Sequence, residues 1–196
     1  YLCIMIKHQH FILNKPHGYL SQFIYTSNRR KNRGLLGQLY DFPEGIMAIG
    51  RLDQDSEGLI FLTTDGKISH TVRSKKIEKE YYVQLDGLIT DDALDKLQNG
   101  IEITVEGQKY VTRPAKVFKL KEKPELPPRG KPVRDDRHGP TCWVSITISE
   151  GKNRQVRKMT AASGYPTLRL FRVGIGNTNW DNLEPGGVRQ VDRFDI

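Results

Sequence analysis

The chain has 196 residues, of which 37% are hydrophobic, and this length allows a substantial buried core. Lysine and arginine total 31 against 23 acidic residues, and the net charge of +8 favours a polyanionic partner such as nucleic acid. The apolar runs fall well short of the roughly 20 residues that cross a bilayer, so no membrane segment is expected. Two cysteines exclude a disulfide framework and indicate a reducing, cytoplasmic compartment. The histidine and cysteine spacings predict no metal site.

The first half of the chain predicts short strands separated by polar segments. The predicted elements are, in order, a strand over residues 11–13, a turn over 14–18, a loop over 27–34, a strand over 46–49, a helix over 66–74 and a strand over 79–85. Asp65 is a good N-cap for the helix. The loop over 27–34 has four cations and no apolar residue, so we expect it on the surface.

The second half predicts further strands and two clear helices. Its predicted elements are a helix over residues 90–99, strands over 101–105 and 110–120, an extended basic loop over 121–140, a strand over 143–149, a helix over 153–163 and strands over 168–173 and 188–191. Thr90 would cap the first helix and Gly100 would end it. Strands outnumber helices without βαβ alternation, which favours an α+β fold with a mixed, largely antiparallel sheet flanked by helices.

One loop concentrates acidic side chains directly before an apolar segment. Residues 50–60 read GRLDQDSEGLI, with Asp53 and Asp55 two residues apart and Glu57 following. A loop that leads into a buried strand can hold one carboxylate rigidly over a pocket. A plain turn with solvated acids is the alternative interpretation of the same pattern.

A second motif places three cations close together near a predicted helix start. Residues 150–159 read EGKNRQVRKM, and Arg154, Arg157 and Lys158 would share one helical face. Such a face is often only solvated. Here it follows Gly151 at a helix start, where backbone N–H groups and cations both attract anions, so an RNA phosphate is a suitable ligand.

These motifs resemble those of the RsuA-type pseudouridine synthases. The acidic loop at residues 50–60, called the signature loop below, matches G-R-L-D-x-x-[ST]-E-G-L. The basic motif at residues 150–159 matches E-G-[KR]-N-R-Q-[VI]-R-[RK]-M. Three more segments match in the family's order: NKPHG at residues 14–18, KEYYV at 79–83 and LRLFRVG at 168–174. Together the matches run from about residue 11 to about residue 176.

The resemblance implies the fold, the reaction and the site residues. It implies a pseudouridine synthase catalytic fold with a central RNA-binding cleft, and an enzyme that isomerises a uridine of ribosomal RNA without a cofactor. Asp53 would be the catalytic carboxylate, acting on the base, on the sugar as a nucleophile, or by deprotonating the sugar. The substrate-binding residues implied are Arg157 as its ion-pair partner, Arg51 as second candidate or loop brace, Tyr81 stacking on the base and Val156 as an apolar wall or core residue. The RNA-binding residues implied are Lys15, Arg154 and Lys158.

The resemblance also predicts the domain organisation. The chain begins almost at the NKPHG segment, so we expect no N-terminal S4-like module and a single catalytic domain over residues 8–196 with two closely packed lobes. This places it nearest the stand-alone members that act on large-subunit ribosomal RNA, as a monomer. Gln54 departs from the arginine or aromatic residue common at its position, which affects the expected RNA contact there.

Two other functions remain as alternatives. The first is a non-catalytic RNA-binding or ribosome-assembly protein on the same scaffold. The second is a glycoside hydrolase that uses Asp53 with Glu57 or Asp55, which needs paired carboxylates about 5–10 Å apart. The hydrolase would not account for the basic motif at residues 150–159.

Overall fold

The computed structural model describes residues 7–26, 33–74, 77–134 and 136–196. The predicted surface loop over 27–34 therefore lies outside the described residues, except for its last two positions. In the part of the chain that is described, no helix is long and apolar enough to cross a membrane.

Strands dominate the described residues and follow the predicted order closely. The strands are β1 (His10–Lys15), β2 (Tyr19–Leu20), β3 (Gly34–Leu35), β4 (Met47–Ile49), β5 (Glu57–Thr63), β6 (Lys79–Asp86), β7 (Glu102–Val105), β8 (Gln108–Val111), β9 (Lys116–Lys119), β10 (Thr141–Ile148), β11 (Thr167–Ile175), β12 (Thr178–Asn179) and β13 (Val188–Val191). The α-helices are α1 (Gly66–Ser74), α2 (Asp91–Asn99) and α3 (Gln155–Ala162). Short 3-10 turns cover Leu36–Gln38 and Asp136–His138.

A single large sheet organises the fold. Its strand order is β13-β1-β5-β11-β6-β10-β9, with β4 added to β5 and β12 added to β11. Its strand pairs are antiparallel except for β11 with β5, which run parallel. The predicted α+β class with a mixed, largely antiparallel sheet is confirmed. The division into two packed lobes stays a prediction.

Strand β5 lies at the centre of the packing and is buried along its whole length. Leu59 and Phe61 pack on one face of the sheet, against Val72 of α1. Ile60 and Leu62 pack on the other face. Burial on both faces explains why the sequence here is a continuous apolar run rather than an alternation. The acidic loop before β5 is thus attached to one of the most constrained strands of the protein.

A third buried cluster lies where α2 and α3 cover β6 and β10. It contains Val83 and Leu85 of β6, Ile146 of β10, Leu97 of α2 and Met159 of α3, each fully buried. Alternate residues of β6 point into this cluster, as the period of two predicted.

The helix ends agree in part with the predicted caps. Asp65 Oδ1 accepts hydrogen bonds from the backbone N–H groups of Lys67 (2.8 Å) and Ile68 (3.3 Å), so the predicted cap of α1 is confirmed. Thr90 occupies the N-cap position of α2 with extended backbone, but its side chain makes no capping hydrogen bond. Gly100 ends α2 with φ of +101°, as expected.

The prediction of one strand over residues 110–120 is wrong. The segment contains the end of β8 and the whole of β9, and these strands belong to different sheets, since β8 pairs with β7 and β9 pairs with β10. Pro114 lies between them. A proline cannot donate to the strand ladder, so the chain leaves one sheet before it enters the other.

Gly58 lets strands β5 and β11 approach each other. Its φ is +104°, and a Cβ atom at this position would lie 2.3 Å from the backbone oxygen of Arg172. Gly58 and Arg172 are partners in the parallel register between the two strands. Any larger residue would have to separate β11 from β5 or change the backbone, so glycine is required here.

We expect Gly58→Ala to lower the free energy of unfolding by about 2 kcal/mol or more, because it adds both backbone strain and a collision with Arg172. Urea denaturation followed by circular dichroism measures this change. Gly66→Ala is the matched control, since Gly66 lies in α1 with nothing within 4 Å of its added Cβ. Equal stability of the two variants would contradict the proposed close approach.

Candidate active site

The loop that carries Asp53 is held by hydrogen bonds to its backbone at the residue before Asp53 and at the residue after it. The hydroxyl of Ser21 donates to the oxygen of Leu52 (2.8 Å) and accepts from its N–H group (3.0 Å). The N–H of Gly18 donates to the oxygen of Gln54 at 2.9 Å. Asp53 lies between these two anchored residues, so its backbone has little freedom to move.

Asp53 forms its ion pair with Arg154. Asp53 Oδ2 lies 3.2 Å from Arg154 Nη1, and the Asp53 side chain is 31% exposed. The expected partner, Arg157, instead contacts Asp55: its Nε lies 3.5 Å from Asp55 Oδ2, and its Nη2 donates to the Asp55 backbone oxygen at 2.8 Å. Asp53 is therefore paired with Arg154, whereas Arg157, its expected partner, is paired with Asp55.

The shifted pairing follows from where α3 begins. The helix was expected from residue 153 but starts at Gln155, and Arg154 is its N-cap residue with left-handed backbone (φ +51°, ψ +33°). Arg154 is therefore not on the helical face that carries Arg157. Its side chain extends towards the acidic loop, where Nη1 and Nη2 each lie 3.0 Å from an oxygen of Asp55.

Glu150 holds the turn that leads into α3, a role that no signal in the sequence indicates beyond its place in the basic motif. Its carboxylate accepts hydrogen bonds from the Tyr110 hydroxyl, the Arg113 N–H and the Gln155 side-chain amide. Burial alone would raise the pKa of Glu150, but these hydrogen bonds outweigh it and lower the pKa. A charged Glu150 thus fixes the segment from which Arg154 reaches Asp53.

Glu57 forms a buried charge cluster with two arginines. Its side chain is 4% exposed, and Arg169 of β11 binds both of its oxygens at 3.1 and 2.9 Å. Arg129 Nε lies 3.1 Å from Oε2. Arg169 also donates to the backbone oxygen of Pro127 at 2.8 Å. This carboxylate is therefore occupied by structural partners.

In the basic loop over residues 121–140, the described positions, all but 135, form no strand, and part of the loop is anchored by long-range contacts. Arg129, only 10% exposed, reaches Glu57, and Pro127 contacts Arg169. Further along, Arg134 forms an ion pair with Asp86 at the end of β6. The loop leaves β9 at one edge of the sheet and reaches the start of β5, so it passes beside the acidic loop.

We expect Glu57→Gln to lower the free energy of unfolding by about 3–5 kcal/mol, because two buried arginines lose their counter-charge. Urea denaturation measures the loss. Glu44→Gln serves as control, since Glu44 is exposed. If Glu57→Gln were as stable as this control, the cluster would not hold β5, β11 and the basic loop together.

Lys15 lies inside the protein, which does not fit the expected contact with RNA phosphate. It is the last residue of β1 and pairs with Gly58. Its side chain is fully buried, and Nζ donates to the backbone oxygens of Pro16 (3.0 Å) and Tyr19 (2.9 Å). Burial lowers the pKa of Lys15 to about 7, against the opposing effects of Glu57 and Asp55.

Lys15 gives the free energy of unfolding a defined pH dependence. Its pKa is about 7 when folded and ordinarily 10.5, so between these values the unfolded chain binds more protons and stability rises with pH. Relative to Lys15→Met, we expect wild-type stability to increase by about 1 kcal/mol per pH unit above pH 7. Urea denaturation from about pH 7 to 9.5 tests this, with the exposed Lys67→Met as control. A pH-independent difference would contradict the burial of a titrating lysine.

A buried apolar cluster includes Leu52, the residue before Asp53. Tyr81 of β6 and Val156 of α3 pack in the same cluster. Tyr81 is 7% exposed. Arg51 is exposed on the loop and Lys158 is half-buried on α3. The structure thus pairs Asp53 with Arg154 and joins Leu52 to the cluster of Tyr81 and Val156, and the roles of these residues in substrate binding stay predictions.

Comparison with known proteins identifies the family. Residues 9–162 match the family described as RNA pseudouridylate synthase, well over half of the chain. The chain belongs to the RNA pseudouridylate synthase family. Enzymes of this family isomerise uridine in RNA, so the expected activity class is confirmed. The glycoside hydrolase and the non-catalytic RNA-binding protein are rejected as alternatives, and the pairing of Glu57 with two arginines also speaks against the hydrolase.

Individual relatives support the assignment over most of the chain. Ribosomal large subunit pseudouridine synthase E of Xanthomonas axonopodis pv. citri is 45% identical over 176 residues, covering 89% of each chain. The enzyme of that name from Vibrio parahaemolyticus is 41% identical over 92% of this chain and 72% of its own. Ribosomal small subunit pseudouridine synthase A of Yersinia pestis is 32% identical over 98% of this chain and 73% of its own.

Solved structures agree with the fold. A crystal structure described as a pseudouridylate synthase is 31% identical, with a TM-score of 0.73 over 94% of this chain and 70% of that chain. A chain of a Cbf5-Nop10-Gar1 complex has a TM-score of 0.56 at 14% identity, over 89% of this chain and 50% of its own. At that identity the likeness concerns the fold alone.

Proposed function

We propose that this chain converts a specific uridine of large-subunit ribosomal RNA to pseudouridine, with Asp53 as the catalytic carboxylate. The observation that carries the proposal is Asp53 itself, in a loop anchored through Leu52 and Gln54, partly exposed and 3.2 Å from an arginine. Relatives that are 41–45% identical over 89–92% of this chain are named for the large ribosomal subunit, which supports that substrate.

The reaction defines what Asp53 has to do. The bond between C1′ of the ribose and N1 of the uracil breaks, the base turns over, and a new bond joins C1′ to C5. The C5 proton leaves and N1 gains a proton, so no atom is gained or lost and no oxidant or cofactor is needed. An ionised carboxylate beside C1′ and C6 can attack the sugar or the base, or remove a sugar proton. Arg154 supplies the counter-charge that such a carboxylate needs in a partly closed site.

Tyr81 and Val156 suit the base-binding side of the site. They share one apolar cluster with Leu52, directly before Asp53. Stacking of a base on an aromatic side chain contributes about 1–3 kcal/mol and tolerates any base. This contribution offsets part of the few kcal/mol required to unstack a nucleotide and bring it to Asp53.

Cations around the site suit the RNA backbone. Arg51 is exposed and Lys158 is half-buried, and the chain carries a net charge of +8. Contacts of lysine and arginine with phosphates supply most of the sequence-independent affinity of such proteins and weaken as salt rises. Arg157 lies further inside, next to Asp55, and would act on the site rather than on the exposed backbone.

The test is tritium release from C5-labelled uridine in ribosomal RNA, with wild type beside Asp53→Asn. We expect release by the wild type and a loss of at least about 1,000-fold in the variant, because the reacting carboxylate is removed. Filter binding of RNA and urea denaturation should change little. Asp41→Asn, on an exposed residue, controls for the loss of one charge.

The choice of RNA tests the proposed substrate, large-subunit ribosomal RNA. Large-subunit RNA, small-subunit RNA and transfer RNA are offered separately, each transcribed without modification. Release from large-subunit RNA supports the proposed substrate, whereas release from another RNA alone would replace it. Substantial residual release by Asp53→Asn would show that another group performs the chemistry.

A further inference from the structure

Three arginines from two segments, the start of α3 and the basic loop, converge on Asp55, which lies two residues after Asp53. Both terminal nitrogens of Arg154 bind its carboxylate, at 3.0 Å each. Arg157 Nε lies 3.5 Å from Oδ2, and Arg157 Nη2 donates to the Asp55 backbone oxygen at 2.8 Å. Arg129 Nη2 lies 3.5 Å from the same backbone oxygen. Asp55 thus connects α3 and the basic loop to the loop of Asp53.

Arg154 is shared between the two carboxylates of this loop. Its Nη1 atom is 3.0 Å from Asp55 Oδ1 and 3.2 Å from Asp53 Oδ2. A planar guanidinium bound by two nitrogens to one carboxylate has a fixed orientation. The two bonds to Asp55 therefore determine where Arg154 stands relative to Asp53.

Arg154 needs a carboxylate such as Asp55 to hold its side chain in place. Its side chain is 42% exposed, and its backbone is left-handed, a conformation that non-glycine residues seldom adopt. An exposed arginine in a protein that binds RNA is attracted by phosphates as well as by carboxylates. Without Asp55, Arg154 would be free to leave Asp53 for the RNA backbone.

The charges of the cluster agree with this geometry. Burial alone would raise the pKa of Asp55, but the hydrogen bonds from Arg154 and the charge of Arg157 outweigh it and lower the pKa. Asp55 therefore keeps its negative charge in the neutral range. Burial lowers the pKa of Arg157, and the charge of Asp55 opposes this effect.

We propose that Asp55 is a positioning residue for the reaction: it holds Arg154 beside Asp53 and keeps this arginine from the RNA backbone. The inference rests on the proposed function of the site. Asp55 acts through Arg154 and touches no reacting atom. It removes a cation from RNA binding and places it at the chemistry, so its loss should affect turnover and affinity in opposite directions.

The experiment compares Asp55→Asn, Asp55→Glu, Arg154→Met and the double variant Asp55→Asn/Arg154→Met. Single-turnover tritium release gives the rate at saturating enzyme, and filter binding gives the Kd for the same RNA. We expect Asp55→Asn to lower the rate roughly 10- to 100-fold, since a misplaced side chain has effects of that size. Its Kd should be unchanged or lower, because Arg154 becomes available to phosphate.

Two further comparisons separate positioning from a general structural role. If Asp55 acts through Arg154, the double variant should be no slower than Arg154→Met alone, so the two effects do not add. Asp55→Glu should recover part of the rate. Asp92→Asn is the matched control: it removes one exposed acid from α2 and changes the net charge equally.

Each contrary result has a distinct meaning. Full turnover by Asp55→Asn beside an active wild type would overturn the inference and leave the proposed function standing. A slower rate together with weaker RNA binding and a lower urea midpoint would make Asp55 a brace of the loop, which also overturns the inference. Additive effects in the double variant would do the same. An inactive wild type would overturn the proposed function, and this inference with it.

Discussion

The ion pair between Glu57 and Arg169 is the constraint on which the candidate site depends. It joins the start of β5 to β11 at a place where both side chains are almost fully buried, so each charge depends on the other for stabilisation. Beside it, Gly58 allows the backbone of β11 to come into contact with β5. The loop of Asp53 leads directly into this junction between β5 and β11, which restricts its movement. Precise placement of a reacting group requires such support from residues that never touch the substrate.

The acidic loop uses its three carboxylates in three different ways. Glu57 is buried and structural, Asp55 holds arginines at the surface of α3, and Asp53 keeps a single arginine contact while remaining partly exposed. Glu57 is the most buried, with 4% of its side chain exposed against 39% for Asp55 and 31% for Asp53, and Asp53 has the fewest arginine contacts of the three. A reacting carboxylate has to give up contacts to meet its substrate, so the least engaged of the three suits that role.

The sequence predicted most of the fold because its local signals agree with one another. The cap at Asp65 and the double burial of β5 follow from composition and periodicity over a few residues. The partner of Asp53 could not be predicted in this way. The spacing of Arg154 and Arg157 assumes a helix that includes both, whereas Arg154 stands before the helix in a left-handed conformation. That conformation depends on contacts from distant segments, so no local pattern contains it.

The same reason explains why Lys15 was expected at the RNA and why Arg129 was expected only as part of the extended basic loop over residues 121–140. A cation in a polar segment is typical of a surface contact, yet both side chains point into buried clusters. Composition indicates that residues 121–140 form a loop, but it does not contain the long-range pairing of Arg129 with Glu57. A buried charge of this kind can be recognised only from the three-dimensional structure, because its partners are distant in the sequence.

The junction between Glu57 and Arg169 also determines when the site can exist. Its two partners are 112 residues apart in the chain, so the segment that carries Asp53 is synthesised long before the strand that anchors it. Contacts between such distant residues form slowly, because a long loop has to close first. A growing chain that ends before β11 therefore carries the whole signature loop without its support. The candidate site is therefore complete only at the end of folding, when the last third of the protein has joined the sheet.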